Sequence, residues 1–229
     1  MQGIADSFDE ELNILRGFID FINNQVGVYM DCVSGFRGNT IRIERQVHRV
    51  QRPTGRAINN GVPVMMYASL EDPSMPDVIH HRILRADHFL SANGESGFNH
   101  QQICWSIIVF IFAYWDEEVR PQIARARKLP AGQVRVDVMG DLRLIRNSII
   151  HNKGVVALSD HGRLKQMAQL VRPDKKISIT YDQMHQVFVL VKKAIAEIIL
   201  AHTSHLPGAP DPSKVAEVAI MNMPGCRDN

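Results

Sequence analysis

Apolar residues recur at helical spacing along most of the chain, and four blocks stand out. Leu12, Leu15, Phe18, Ile19 and Ile22 share a face behind a Ser7-x-x-Glu10 capping box, which predicts a first helix beginning there. The spacing runs on through Val26, Met30 and Val33. Gly35 and Gly38 then leave two courses open, continuation into the Arg42–Arg52 region or a break and a fresh helix. A second block, about Asn99 to Lys128, carries Trp105, Ile108, Phe112, Trp115 and Val119 along one face, with Pro121 either kinking it or starting a new turn. The third block spans about Val134 to Asn152. The fourth opens on another capping box, Thr180-Tyr181-Asp182-Gln183, and continues to about His202. Between them, Leu164 to Val171 has the pattern of a short helix.

Two stretches interrupt this periodicity. Residues 53–98 contain Pro53, Gly55, Gly61, Pro63, Pro73, Pro76, Gly94 and Gly97, so little regular structure is expected there beyond a short helix near Asp77 to Leu90. Residues 206–229 are rich in Pro and Gly and read as a flexible tail or an arm lying on a neighbour. The expected architecture is all-α: one helical-bundle domain over 1–205, with an irregular insertion at 53–98, followed by the tail at 206–229. The most apolar run, Ile103 to Trp115, falls short of the roughly 20 residues a membrane span needs and reads as a buried central helix, so no membrane association is expected.

Composition adds limits. A chain of 229 residues with 45% hydrophobic content can bury a full core. A formal net charge of +2 is too small to mark a nucleic-acid binder, so any RNA contact must come from local clustering. Arg120, Arg125, Arg127, Lys128, Arg135, Arg143, Arg146 and Lys153 do crowd one segment, while Asp6, Asp9, Glu10 and Glu11 gather near the N-terminus. Cys32, Cys104 and Cys226 lack the close pairs of zinc or redox sites and are expected as free thiols in a reducing, cytoplasmic setting. No secretory leader is readable. His80, His81 and His88 with Asp77 and Asp87 match no established metal pattern, although His81 and His88 would lie two turns apart on the short helix. Phosphate-binding glycine loops, serine-nucleophile elbows and His-Glu-x-x-His pairs are all missing, and no cofactor or metal is expected.

The third block carries the distinctive chemistry. At about 100° per residue, Val138, Leu142, Ile145 and Ile149 cluster on one side of the helix, and Arg143, Arg146, Asn147 and His151 fall on the other. The helix is expected to bury the aliphatic stripe and expose the polar one. Arg146, then Asn147, then His151 five positions after the arginine, followed by the Asn152-Lys153-Gly154 stop signal, resembles the R-x4-6-H signature of the HEPN superfamily. A weaker echo lies in Tyr114-Trp115-Asp116-Glu117 and in the helical region after Thr180.

That resemblance implies a HEPN-like helical bundle, a homodimer in which two such helices face each other, and a metal-independent endoribonuclease of a toxin or antiviral defence system. It implies RNA as the substrate and an antitoxin or other regulatory partner. His151 would move protons at the 2′-hydroxyl or the leaving 5′-oxygen, a task that suits imidazole. Arg146 would neutralise the scissile phosphate with a planar, permanently charged fork, and Asn147 would orient the phosphate or His151. Arg143, Asn152 and Lys153 would contact flanking phosphates. Asp141 is expected either to solvate the helix start or to pair with an arginine. One carboxylate of the Asp116-Glu117 pair is a candidate to tune Arg146 or His151. The alternative is a non-catalytic HEPN-like module whose same basic face binds RNA or protein.

Overall fold

The computed structural model describes residues 2–51, 64–68, 74 and 81–203. In chain order these form α1 (Gln2–Gln51), β1 (Val64–Ala68), β2 (His81–Arg85), α2 (Ala86–Asn93), α3 (Phe98–Tyr114), a π-helical turn (Trp115–Val119), α4 (Arg120–Ala126), α5 (Asp137–His151), α6 (Leu158–His161) and α7 (Tyr181–Thr203). Short 3-10 turns at Ala131–Gln133 and Ala168–Leu170 complete the set. The architecture is all-α apart from one two-stranded antiparallel ribbon, in which Val64 pairs with Arg85 and Ala68 with His81. None of the helices among the described residues is long and apolar enough to cross a membrane.

Several sequence expectations change in detail. The first helix begins at Gln2, so the Ser7-x-x-Glu10 box lies inside it, since nothing before it blocks helical backbone angles. It then runs unbroken for 50 residues, through Gly35 and Gly38. Two exposed glycines cost a helix about 2 kcal/mol together, too little to stop one held by packing on both sides. In residues 53–98 the short helix expected near Asp77 to Leu90 is found as α2, shifted to Ala86–Asn93, and the ribbon was not expected; His81 and His88 do not share a helix, since His81 opens β2 and His88 lies in α2. The Leu164–Val171 helix shrinks to the 3-10 turn at Ala168–Leu170. The tail at 206–229 lies outside the described residues.

Contacts divide the chain into two compact units, residues 1–29 with 104–229, and residues 30–103. The second unit thus takes in half of α1 as well as the 53–98 stretch. In the first, α1 supplies Leu15, Phe18, Ile22 and Tyr29, all essentially buried. Phe18 lies against Tyr114 and Trp115, with centroids 6.0 and 5.8 Å away, and Phe21 stacks on Tyr114 at 4.1 Å. Tyr29 meets Tyr181 and Phe188 of α7. Cys104, Ile107, Ile108 and Ile111 of α3 and Met184, Val187, Val191 and Ile195 of α7 fill the same core. In the second unit, Ile43 packs with Ala86 and Phe89, and Val47 and Leu90 lie against them.

Helix ends follow their local chemistry. At the start of α7 the capping box forms in both directions: Gln183 N–H donates to Thr180 Oγ1 (3.2 Å) and Thr180 N–H to Gln183 Oε1 (2.9 Å). Pro121 has no N–H to offer the carbonyl four residues back. The turn before it widens, and Arg120 N–H reaches five residues back to Trp115 O.

Candidate functional site

Helix α5 is set by its neighbours at both ends and in the middle. Asp141 was expected near solvent, paired with an arginine or solvating the helix start. It is buried, at 2% exposure, and faces the chain instead. Its carboxylate accepts the backbone N–H groups of Lys165 (3.0 Å), Gln166 (2.6 Å) and Met167 (2.9 Å). Three successive amides converging on one carboxylate form an anion nest filled by the protein's own side chain. A second tie joins Lys165 Nζ to Asp137 in the first turn of α5, at 2.6 Å.

At the far end, Asn152 N–H and Gly154 N–H both bond to Ser148 O, at 3.0 and 2.9 Å. Lys153 and Gly154 take the left-handed backbone, at φ 54° and 82°. A Cβ on Gly154 would come within 2.7 Å of the Trp105 ring, so only glycine fits this turn without displacing the indole. Lys176 Nζ sits 5.2 Å from the centre of the same ring, and Ile177 N–H bonds to Gly154 O at 2.8 Å.

Between these anchors the helix divides its faces as its sequence period requires. Val138, Leu142 and Ile145 are buried, and Ile149 is half-buried. Arg143, Ile150 and His151 are exposed, and Arg146 and Asn147 lie at the boundary. Arg146 Nη1 donates to Asn147 Oδ1 at 3.0 Å, which turns the guanidinium along the helix surface. Among the described residues Arg146 Nε is buried without a hydrogen-bond partner. Such a group typically costs about 1–3 kcal/mol.

Arg146 and Asn147 are therefore brought together, and Asn147 and His151 share a face one turn apart. Arg146 and His151 are separated by about 140° around the helix and about 7.5 Å along it. Asn152 and Lys153 are exposed beyond His151 and extend the polar surface. Among the described residues no carboxylate forms an ion pair with Arg143, Arg146, His151 or Lys153. Asp116 pairs instead with Arg120 at 2.6 Å, Glu117 is exposed, and Tyr114 is stacked on Phe21.

Part of the basic crowding resolves into structural pairs. Arg127 makes a two-pronged contact with the buried Glu11, with Nε to Oε2 at 2.9 Å, and the carboxylate holds Arg127 above its ordinary range. Burial pushes the Cys104 thiol up to about 12, against a hydrogen bond with Tyr29 that favours the thiolate. Cys32 and Cys104 form no disulfide among the described residues, and Cys226 lies outside them. Among the described residues no three His, Cys, Asp or Glu side chains converge as metal ligands; His80 and the side chain of His81 are outside them.

Sequence reasoning missed the Asp141 nest and the Trp105 anchor. The nest pairs residues 24 to 26 positions apart, and no local pattern announces that. For the anchor, the Asn152-Lys153-Gly154 stop signal after the helix was the hint. Compared with known proteins, the chain matches no family model, no curated protein and no solved structure.

Proposed function

We propose that the protein is a metal-independent endoribonuclease that uses the exposed face of α5. The single observation that carries this is Arg146: its guanidinium is oriented by Asn147 and has no carboxylate partner among the described residues. A cation held in place but not neutralised suits the charge that develops on a scissile phosphate. His151 is exposed one turn beyond Asn147 and moves the protons of the 2′-hydroxyl attack, while Arg143, Asn152 and Lys153 hold flanking phosphates. Because the nucleophile is the substrate's own 2′-hydroxyl, the reaction is confined to RNA. Two copies complete the site, since about 140° separates Arg146 from His151 on one helix. A homodimer with facing α5 helices lets Arg146 of one copy work with His151 of the other. The biological setting in this reading is a toxin or antiviral system in the cytoplasm, restrained by an antitoxin or other regulator.

The same angular separation supports the second reading, a binding module without catalysis, if α5 faces do not pair. Incubation of the full chain with pooled RNA in EDTA, wild type against His151→Ala, separates the two. Cleavage by wild type alone supports the enzyme. Intact RNA with both proteins, under conditions where both bind it, supports the module.

A further inference from the structure

A second arginine surface lies in the other compact unit. Along residues 30–51 of α1, Gly35, Gly38, Arg42, Arg45 and Arg49 follow one another at intervals of three and four, which puts them on one narrow stripe. All five are exposed. Ile43 and Val47, on the opposite side, are the residues packed against α2. The stripe thus faces away from the only core that this part of the helix has among the described residues. Arg42 donates to Asn39 Oδ1 at 3.3 Å, and among the described residues none of the three arginines is in an ion pair. Among the described residues a Cβ on Gly35 or Gly38 would meet nothing within 4 Å. Among the described residues these glycines answer no packing need, yet they weaken the helix. They leave the helix backbone open to close approach beside the arginines.

We infer that the Gly35–Arg49 stripe of α1 is a docking surface for the phosphate backbone of an RNA strand. Arg42 to Arg49 spans about 10.5 Å along the helix, long enough for the three guanidinium groups to meet more than one phosphate of the same strand. The arginine fork suits phosphate oxygens, and a contact made only through the backbone needs no base reading. A membrane surface or a protein interface would need apolar anchors around the charges. Ile41 is the only large exposed apolar side chain between residues 35 and 49, at 40% exposure. The choice of RNA as the strand rests on the proposed ribonuclease activity; the phosphate chemistry does not.

The test is equilibrium binding of a labelled single-stranded RNA to the full-length chain, read in a His151→Ala background so that binding is independent of cleavage. Arg42→Gln/Arg45→Gln/Arg49→Gln is compared with a control of equal charge change, Arg172→Gln/Lys175→Gln/Lys193→Gln. The stripe variant is expected to bind about tenfold or more weakly, with the salt slope reduced by about 2, near 0.7 per lost phosphate contact, while the control stays near its parent. The corresponding triple Lys variant should restore most of the salt slope, and it serves if the Gln variant does not fold. Equal losses in stripe and control variants, or none in either, overturn the proposal. So does a stripe variant that keeps RNA binding but no longer floats with phosphatidylserine vesicles, because that result assigns the surface to lipid.

Discussion

Helix α5 is tied down along its whole length, whereas residues 30–51 of α1 are held at a few positions. On α5, Asp141 binds three backbone amides, Gly154 closes the end against Trp105, and Leu142 and Ile145 are buried between them. On α1, Ile43 and Val47 rest on a small cluster and the opposite face is glycine and arginine. Both regions show arginines to solvent, but they suit different tasks. A group that must meet a reacting phosphate has to be placed to within a fraction of an ångström, and that needs a rigid support. A surface that only neutralises a polyanion tolerates imprecise placement, because its Coulomb attraction is long-ranged and non-directional.

The strongest way to break this contrast is to attack the buried stripe of α5. Ile145→Asp places an unpaired carboxylate where the side chain is 1% exposed, at a cost of several kcal/mol, comparable to the stability of a whole domain. The variant is expected to lose its cooperative thermal transition. A normal melt would mean the faces of α5 have been assigned in reverse.

Asp141→Ala should be the next largest effect. It leaves three amides without their acceptor, and about 3 kcal/mol is expected, since hydrogen bonds to a charged group are individually worth about 1.5–3 kcal/mol and partial rehydration recovers some of the loss. Hydrogen exchange should accelerate at residues 165–167 before it does elsewhere. Unchanged protection there would show that the nest is not what holds that segment.

Gly154→Ala tests the other end. The added methyl meets the Trp105 ring at 2.7 Å on a left-handed backbone, and about 1–3 kcal/mol is expected from the strain. Indole fluorescence of Trp105 should shift with it, read in a Trp115→Phe background. By contrast Gly38→Ala, with nothing near its Cβ, should raise the melting temperature slightly, by the equivalent of up to about 1 kcal/mol. A destabilising Gly38→Ala would mean that α1 is more closely packed there than residues 30–51 indicate.

Legibility in the sequence tracks the range of the interaction. The faces of α5 and the start of α7 were readable because a 3.6-residue period and a Thr-x-x-Gln box act within a few residues. The ribbon at Val64–Ala68 and His81–Arg85 was not, because the prolines and glycines around it masked two short strands that pair across 12 intervening residues. Asp141 looked like one more wet carboxylate, since the amides it binds come from a segment more than 20 residues later. At the candidate site, the sequence placed Arg143 and His151 in solvent correctly. It did not foresee that Arg146 would be half-buried, with Nη1 on Asn147 and Nε unfilled.

Cleavage of one defined RNA tests the α5 reading most directly. Wild type, Arg146→Ala and His151→Ala are incubated in EDTA with an all-ribose strand and with the same strand carrying 2′-deoxy at the mapped cut, and the ends are identified by mass. The expected result is a 2′,3′-cyclic phosphate from wild type alone, an inert deoxy substrate, and melting temperatures close to wild type for both variants. A cut that persists in His151→Ala, or that crosses the deoxy position, would contradict it.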